Sequence, residues 1–211
     1  MAIDTLAIGD DEFEFHDFGA VGRALEDALR DIADVELTTE RDAVLTLDDY
    51  DVFVDYTTKA EWTPAQLDAI QSFVTAGSGY VRLHCATVLD SFVDEPCPEL
   101  ADLIGGRFLT HPEMTTIDIE IGDAAHPVTD GVDGFQIYDE PYELDWDADR
   151  VTVLAEFTLP ETGTMPAAWV RTEGDGRVFY CSLGHDSTAF ENAGFRRLLR
   201  NGLQWVVEGH S

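Results

Sequence analysis

YDVFVDYT at residues 50–57 is followed by TPAQLDAIQSFVTAGSGYVRLH at residues 63–84, and these two stretches predict the fold. The first is a short apolar run typical of a buried strand. The second starts with Thr-Pro, which favours a helix with proline at its first position, and it carries four apolar residues on one helical face before Gly77. Another strand follows at residues 79–84. Strand, helix and strand in this order predict a parallel βαβ unit.

The same alternation extends toward the N-terminus and changes toward the C-terminus. An apolar strand at residues 2–8 precedes a helical pattern at residues 19–33 and a short β-rich segment at residues 35–39. We predict one domain over residues 1–211, an α/β fold with a doubly wound, mostly parallel sheet and extra antiparallel strands in the C-terminal half. The late strand-like segments lie at residues 115–121, 151–157, 167–171 and 177–183, and a final helix at residues 192–207.

The charge of the chain excludes two classes of partner. Asp and Glu total 43 against 12 Lys and Arg, which gives a formal net charge of -31. Nucleic acids and anionic membrane surfaces bind through clustered Lys and Arg, and acids on this scale would repel them. The 45% of hydrophobic residues still suffices for a folded core. The sequence leaves open whether the protein forms a homo-oligomer.

Such an excess of acids is typical of a protein from a halophile, with an ordinary acidic protein as the alternative. Self-repulsion destabilises a compact state at low ionic strength, whereas molar salt shortens the Debye length to about 3 Å. We therefore expect folding and solubility to depend on salt. Because surface carboxylates are background here, an Asp or Glu points to chemistry only when its neighbours single it out.

The cysteines and the N-terminus indicate the compartment. Cys85, Cys97 and Cys181 form neither an even set nor a Cys-x-x-Cys pair, which argues against a disulfide framework and a cysteine-rich zinc site. The first residues lack a basic segment followed by an apolar run, and no apolar stretch approaches the roughly 18 residues of a membrane span. We expect a cytoplasmic protein.

Histidines recur at the predicted strand ends. Ligands of open α/β sheets bind outside the carboxyl ends of the strands, so these positions favour a shared site. A sharp turn after the strand would present His84 as in a nucleophile elbow, with the small Ala86 two residues on, while Cys85 is either a cleft residue or a buried hydrophobe. His126, by contrast, starts HPVTDG, which predicts a turn. The four strand-end histidines are His16, His84, His111 and His185.

Two motifs add carboxylates. Asp186 can orient His185 for acid/base work, or it can cap a helix while His185 lies in a surface loop. Asp139 and Glu140, followed by Tyr142, form a carboxylate pair whose pKa values separate on partial burial, or else a simple charged loop.

The ordered motifs resemble those of the ThuA-like (trehalose-utilisation) proteins, whose fold is similar to that of class I glutamine amidotransferases. The order and spacing of the fragments carry the resemblance, which covers nearly the whole chain. The matching segments are His16-Asp17, VRLHCA at 81–86, LIGGRF at 103–108 with His111-Pro112, HPVT at 126–129, Asp139-Glu140 with Tyr142, PAAWVR at 166–171 and GRVFYCSLGHD at 176–186.

This resemblance implies a flavodoxin-like, three-layer α/β/α domain with His185 near the position of the amidotransferases' catalytic histidine. It also implies a small-molecule carbohydrate partner, either trehalose or a related disaccharide, including oxidised keto sugars. An amidotransferase needs a glycine-flanked cysteine at its elbow. Cys85 lacks that context, so we expect no glutaminase activity.

Three functions remain open from the sequence. The first is a sugar-processing enzyme that transfers protons at a carbon or oxygen next to a carbonyl, with His84, Glu140 and His185 as catalytic residues. The second is a non-catalytic carbohydrate-binding or accessory protein, and the third a thiol hydrolase with Cys85 as nucleophile. No metal ligand is assigned and the cofactor is unknown, although imidazoles beside a carboxylate can also bind a divalent ion such as zinc. The predicted substrate-binding residues are His16, Cys85, His111, Asp139, Tyr142 and Asp186, and we expect His84, His111, Glu140 and His185 to face one cleft.

Overall fold

The computed structural model describes residues 2–10, 15–58, 61–88, 97–122 and 125–208 of the chain. The helices are α1 (Phe18–Leu29), α2 (Pro64–Thr75), α3 (Pro98–Ile104) and α4 (Ala193–Val207). The strands are β1 (Ile3–Gly9), β2 (Ala33–Thr38), β3 (Val52–Tyr56), β4 (Gly79–Leu83), β5 (Gly106–Thr110), β6 (Thr115–Ile121), β7 (Phe135–Asp139), β8 (Glu143–Trp146), β9 (Thr152–Leu159), β10 (Gly163–Glu173) and β11 (Gly176–Cys181). Within the described ranges, no helix is both long enough and apolar enough to cross a membrane.

Nine strands form one mixed sheet in the order β2-β1-β3-β4-β11-β10-β9-β6-β7. In this order, adjacent strands in the first part of the sheet, β2-β1-β3-β4-β11, are parallel to each other. Neighbours from β11 to β7 run antiparallel, and β5 pairs with β8 in a separate antiparallel ribbon. The predicted α/β class, with its antiparallel strands in the C-terminal half, is confirmed.

Helices cover both faces of the parallel half. In β3, Val52 and Val54 pack into a cluster shared with α1 and α4, whereas Phe53 faces the cluster shared with α2 and α3. The inner strands β3 and β4 are therefore buried on both sides, which explains their largely apolar sequences, whereas the edge strand β2 is partly exposed. The three layers are α1 with α4, the sheet, and α2 with α3, as the flavodoxin-like prediction requires.

Side-chain caps fix where the helices begin. Thr63 and Gln66 form a reciprocal capping box at α2, with proline at the first helical position. Asp17 and Asn192 accept hydrogen bonds from the first-turn amides of α1 and α4. The cap at Asp17 matters for the site because it sets the chain just after His16.

The structure corrects the sequence predictions at several boundaries. The helix predicted for residues 19–33 ends at Leu29, because the Ile32 amide donates to the Leu29 carbonyl in a turn and Ala33 already belongs to β2. The elements α3, β5, β7 and β8 were not predicted, since each has seven residues or fewer and shows little periodicity. The turn predicted after His126 is confirmed as a 3-10 turn at Pro127–Thr129.

The parallel half also buries an ion pair between β3 and β4. The Arg82 Nη2 atom lies 2.9 Å from Asp55 Oδ2, and both side chains are fully buried. The Tyr80 hydroxyl donates to Asp55 Oδ2, while the amide and hydroxyl of Thr57 donate to Asp55 Oδ1. These bonds satisfy the carboxylate inside the sheet, where an unpaired charge would be costly.

Candidate active site

A sharp turn after β4 carries His84 into the interior. His84 has a φ of 43°, the one positive φ of a non-glycine residue in the described part of the chain. Such backbone costs energy and is found preferentially at functional sites. The His84 side chain is fully buried, and the Sγ of Cys85 points elsewhere, donating to the Tyr56 carbonyl at 3.4 Å. His84, rather than Cys85, is thus the residue presented by the elbow.

Hydrogen bonds fix the His84 ring. Its Nδ1 lies 2.7 Å from the carbonyl oxygen of Ser182, which can only accept, so Nδ1 carries a proton. Its Nε2 lies 2.9 Å from the Tyr142 hydroxyl, 3.3 Å from His185 Nδ1 and 3.4 Å from Glu140 Oε2. In the neutral ring, the Nε2 lone pair therefore faces the other groups of the site.

A buried carboxylate holds the loop after β11. Asp139 Oδ2 accepts from the Gly184 amide at 2.8 Å, and Oδ1 accepts from the amides of His185 at 3.2 Å and Glu140 at 2.9 Å. The Tyr56 hydroxyl lies 2.9 Å from the carbonyl oxygens of both Gly184 and His185. Gly184 has a φ of 108°, which glycine adopts without steric cost. Asp139 therefore ties the end of β7 to the end of β11.

The Glu140 carboxylate contacts three imidazoles. Its Oε2 lies 3.1 Å from His185 Nδ1 and 3.4 Å from His84 Nε2, and its Oε1 lies 3.8 Å from His111 Nε2. Side-chain exposure rises from 0% at His84 through 12% at Glu140 to 37% at His111. Solvent and substrate would consequently reach the group from the His111 side.

His16 adds a third buried imidazole. Its Nδ1 lies 2.9 Å from the Thr58 hydroxyl, and its ring centroid is 5.2 Å from those of His84 and His185. One nitrogen or oxygen from each of His16, His84, Glu140 and His185 lies within 4.8 Å of the others. We call these four residues the His/Glu cluster.

Burial and mutual charge set the protonation states of the cluster. Burial, assisted by the charges of His84 and His185, lowers the pKa of His16 to about 3. Burial also opposes charge on His185, but the hydrogen bond and charge of Glu140 prevail and raise the His185 pKa. Burial alone would raise the Glu140 pKa, yet the hydrogen bond from His185 and the adjacent His84 imidazole lower it well below the ordinary value. The site thus pairs an ionised carboxylate with an imidazole that retains its proton readily.

Three of the predicted substrate-binding residues have side chains that bond to other parts of the protein. Cys85 and Asp139 are fully buried, and burial raises the pKa of both groups. Asp186 accepts from the amide and hydroxyl of Thr188 and from the Ala189 amide, capping a short turn. These side chains hold the loops of the site, whereas His16, His111 and Tyr142 lie within or beside the cluster.

The sequence assigned no role to three residues that support the site. Tyr56 is the last residue of β3 and Thr58 follows it, and they hold the His185 loop and the His16 ring. Their position at a strand end was the available signal. Ser182 acts on His84 through its backbone carbonyl, which any residue type would supply, so its role leaves no trace in the sequence.

Fold and site together define a class: a three-layer α/β/α protein with histidines and a carboxylate gathered at the carboxyl ends of its strands. A family model described as ThuA, trehalose utilisation, matches residues 10–206. The chain therefore belongs to the ThuA family. No curated protein matches it in sequence.

Solved structures share the fold at low sequence identity. A ThuA-like protein of Parabacteroides merdae is 20% identical with a TM-score of 0.85, over 99% of this chain and 91% of that one. A protein of Salmonella typhimurium, described as cytoplasmic, is 15% identical with a TM-score of 0.70, over 97% of this chain and 99% of that one. A β-galactosidase of Bacillus circulans is 16% identical with a TM-score of 0.67, over 95% of this chain but 31% of that one.

Proposed function

We propose that this protein is a sugar-processing enzyme that transfers protons at a carbon or oxygen next to a carbonyl, acting on trehalose or a related disaccharide in its keto form. The observation that carries the proposal is the contact of Glu140 Oε2 with both His185 Nδ1 and His84 Nε2 at the carboxyl ends of the strands. Membership of the trehalose-utilisation family supports the substrate class.

The proton transfer divides between Glu140 and His185. A hydroxyl-bearing carbon next to a ketone loses its proton to a carboxylate. The C–H electron pair forms a carbon–carbon double bond, and the π electron pair of the carbonyl moves onto its oxygen. That oxygen takes a proton from the imidazolium, giving an enediol, and the reverse transfers return the ketone or its isomer. Positioned acid/base groups typically accelerate such steps by about 10²–10⁴-fold. The raised pKa of His185 favours its role as proton donor, and the lowered pKa of Glu140 keeps its carboxylate ionised, the form that can accept a proton.

His84 and Tyr142 would bind the sugar. The Ser182 carbonyl holds the proton of His84 on Nδ1, so Nε2 can accept a hydrogen bond from a substrate hydroxyl. The Tyr142 hydroxyl, 2.9 Å from that nitrogen, can donate to it or to a sugar oxygen. His111 stands at the exposed side of Glu140, where a disaccharide would enter.

Deuterium exchange tests the reaction directly. The protein in molar KCl is incubated in D₂O with keto forms of trehalose and other disaccharides, and proton NMR follows loss of the signal at the carbon next to the ketone. We expect exchange or isomerisation that falls at least tenfold, about 1.4 kcal/mol, in His185→Asn, His84→Asn and Glu140→Gln. Asparagine tolerates the left-handed backbone at residue 84, which keeps that variant informative.

His126→Asn is the matched control. His126 sits in the Pro127–Thr129 turn and packs on Trp205, so this change should leave exchange within twofold of the parent. Absence of exchange with every keto sugar, in a protein that still binds them, would refute the enzymatic proposal.

One observation favours a non-catalytic alternative. The fold matches a segment of about a third of a β-galactosidase, so this architecture occurs as a part of a larger carbohydrate enzyme. Under this alternative the chain binds sugar without turnover, and the variants of the cluster change affinity alone.

The thiol-hydrolase alternative has little support. Cys85 is fully buried, its thiol donates to a backbone carbonyl, and burial raises its pKa well above the ordinary value. A nucleophilic cysteine needs the opposite conditions. Cys85→Ser should therefore leave any activity unchanged, and the same variant also tests the expected absence of glutaminase activity.

A further inference from the structure

We infer that the His/Glu cluster is a binding site for one divalent transition-metal ion of the zinc class, with His16, His84, Glu140 and His185 as protein ligands. The inference stands on the geometry of the four side chains. It rests on the proposed function only for the chemical use of the ion.

The distances already fit a coordination shell. Zinc lies about 2.0–2.1 Å from histidine nitrogen, so two ligand atoms on a tetrahedral ion are separated by about 3.3 Å. The observed separations are 3.3 Å for His84 Nε2 to His185 Nδ1, 3.4 Å for His84 Nε2 to Glu140 Oε2 and 3.1 Å for His185 Nδ1 to Glu140 Oε2. The three ligand atoms therefore lie at the corners of one face of a tetrahedron, and a ligand atom of His16 lies within 4.8 Å of each.

Two of the imidazoles hydrogen-bond through their second ring nitrogen, as histidines in metal sites usually do. Metal-binding histidines usually direct their second nitrogen to a carbonyl, carboxylate or hydroxyl, which orients the ring and selects the tautomer. His84 Nδ1 contacts the Ser182 carbonyl and His16 Nδ1 contacts the Thr58 hydroxyl. His84 thus directs Nε2 toward the other groups of the cluster, and the Thr58 hydroxyl fixes the ring of His16 through Nδ1.

Electrostatics also favours a cation there. Three imidazoles and a carboxylate bring nitrogen and oxygen donors into one buried space, and a single positive ion can be bound by all of them at once. The donor set of three nitrogens and one oxygen favours zinc and its first-row neighbours over Mg²⁺ and Ca²⁺, which prefer oxygen. The three cysteines are buried outside the cluster, so thiolate ligands are not involved.

The ion would take the place of the His185 proton in the proposed reaction, and Glu140 would accept the substrate proton on Oε1, the oxygen on the His111 side, while Oε2 binds the ion. A bound divalent ion polarises a carbonyl oxygen and stabilises negative charge that develops on it. Because Tyr142 donates to the His84 Nε2 lone pair at 2.9 Å, the phenol competes with the ion for that nitrogen. Removing the hydroxyl should therefore preserve or strengthen metal binding, a result that a site built only for hydrogen bonding would not give.

Calorimetry and cobalt spectroscopy test the inference without an activity assay. Full-length protein is stripped with a chelator and titrated with ZnCl₂ in molar KCl and excess MgCl₂, which occupy the surface carboxylates. We expect one equivalent of zinc per chain, and visible absorption bands of bound cobalt(II) that zinc abolishes. His16→Gln, His84→Asn, Glu140→Gln and His185→Asn should each weaken zinc binding at least tenfold, Tyr142→Phe should not weaken it, and His126→Asn should leave it unchanged.

The outcomes separate this inference from the proposed function. Binding of less than one equivalent to the parent, or binding that the four variants leave intact, overturns the metal site. Zinc binding without turnover of any keto sugar supports the site and counts against the enzyme. Turnover by a metal-free parent that binds no zinc supports the enzyme and overturns the site.

Discussion

The parallel and antiparallel halves of the sheet supply different chemistry to the same place. The parallel half supplies imidazoles, from His16 after β1, His84 after β4 and His185 after β11. The antiparallel half supplies the carboxylate of Glu140 and the phenol of Tyr142, both after β7. Within the described ranges, the metal-binding set and the Glu140–His185 pair each combine groups from both halves, so the proposed function depends on how the halves join.

The two halves meet by different physical means. Parallel neighbours end at the same edge of a sheet, so the ends of β4 and β11 come together through strand pairing itself. In contrast, β7 pairs with β6, and β6 joins β9 through only two residue pairs. The end of β7 is brought to β11 by the amides of Gly184 and His185, which donate to the Asp139 carboxylate. Hydrogen bonds to a side chain thus position the Glu140 carboxylate, whereas backbone pairing between strands positions His84 and His185.

The largest effect should come from breaking the buried ion pair of the parallel half. Asp55→Ala leaves Arg82 charged and unpaired inside the sheet, and we expect a loss of about 3–5 kcal/mol in the free energy of unfolding. Urea denaturation in constant salt measures it. The matched change Asp145→Ala, in the separate antiparallel β5–β8 ribbon, removes an exposed partner of Arg107 and should cost no more than about 1 kcal/mol. Equal losses would contradict the difference between a buried pair of the parallel half and an exposed pair outside it.

A smaller loss of stability, with a specific effect on the site, should follow from breaking the contact between Asp139 and the β11 loop. Asp139→Asn keeps the shape of the side chain but replaces an acceptor oxygen with a donor, so a buried amide of the β11 loop loses its partner. We expect a cost of about 1–3 kcal/mol and weaker zinc binding. Asp118→Asn is the control, since that carboxylate lies on the exposed face of β6 and retains an oxygen for Gln136. Unaltered zinc affinity in Asp139→Asn would contradict a positioning role.

Charge coupling between the halves should appear in histidine titrations of the metal-free protein. The pKa of His16 is about 3 and that of His185 is raised, so NMR should show the two imidazoles titrating on opposite sides of the ordinary value. The Glu140–His185 pair then contributes stability that is fully present below the pKa of unfolded histidine and is lost as the pH rises through the folded-state pKa of His185. Glu140→Gln should lower the His185 pKa, because burial is then opposed by the smaller effects of the Asp139 and Asp186 charges.

His126 provides the internal reference for this experiment. Burial lowers its pKa, followed by the charge of Arg177, and neither depends on Glu140. An equal downward shift of His126 and His185 in Glu140→Gln would point to a general change of structure rather than to the loss of one contact.

The smallest effect is expected within the antiparallel half. Thr158 of β9 and Thr164 of β10 are paired across the hairpin, with their hydroxyls 2.9 Å apart and exposed. Thr164→Ala should cost about 0.2–1 kcal/mol, typical of a cross-strand threonine pair, with no change in zinc binding. A loss as large as that of Asp55→Ala would show that this half is as sensitive as the parallel half.

Sequence patterns predicted the parallel half more completely than the antiparallel half. The capping signal at Thr63, the helical faces and the strand ends were all local features, and they located His84 and His185 correctly past β4 and β11. The short β7 and β8 were missed because four or five residues show little periodicity, although Glu140 and Tyr142 between them were identified from their residue types. The role of Asp139 could not be predicted, since a carboxylate that binds backbone amides looks the same in sequence as one that faces a substrate. For Asp186 the sequence left two roles open, and the structure shows the capping role.

The sequence by itself determined the α/β class, the order of the main elements and the identity of the groups available for chemistry, because propensity, periodicity and capping act over a few residues. Tertiary structure alone decided which groups meet. The left-handed turn at His84, the Ser182 carbonyl behind its ring and the amides around Asp139 come from segments up to 98 residues apart. Distances of about 3 Å between such segments depend on the packing of the whole sheet, and that packing is a property of no single stretch of the chain.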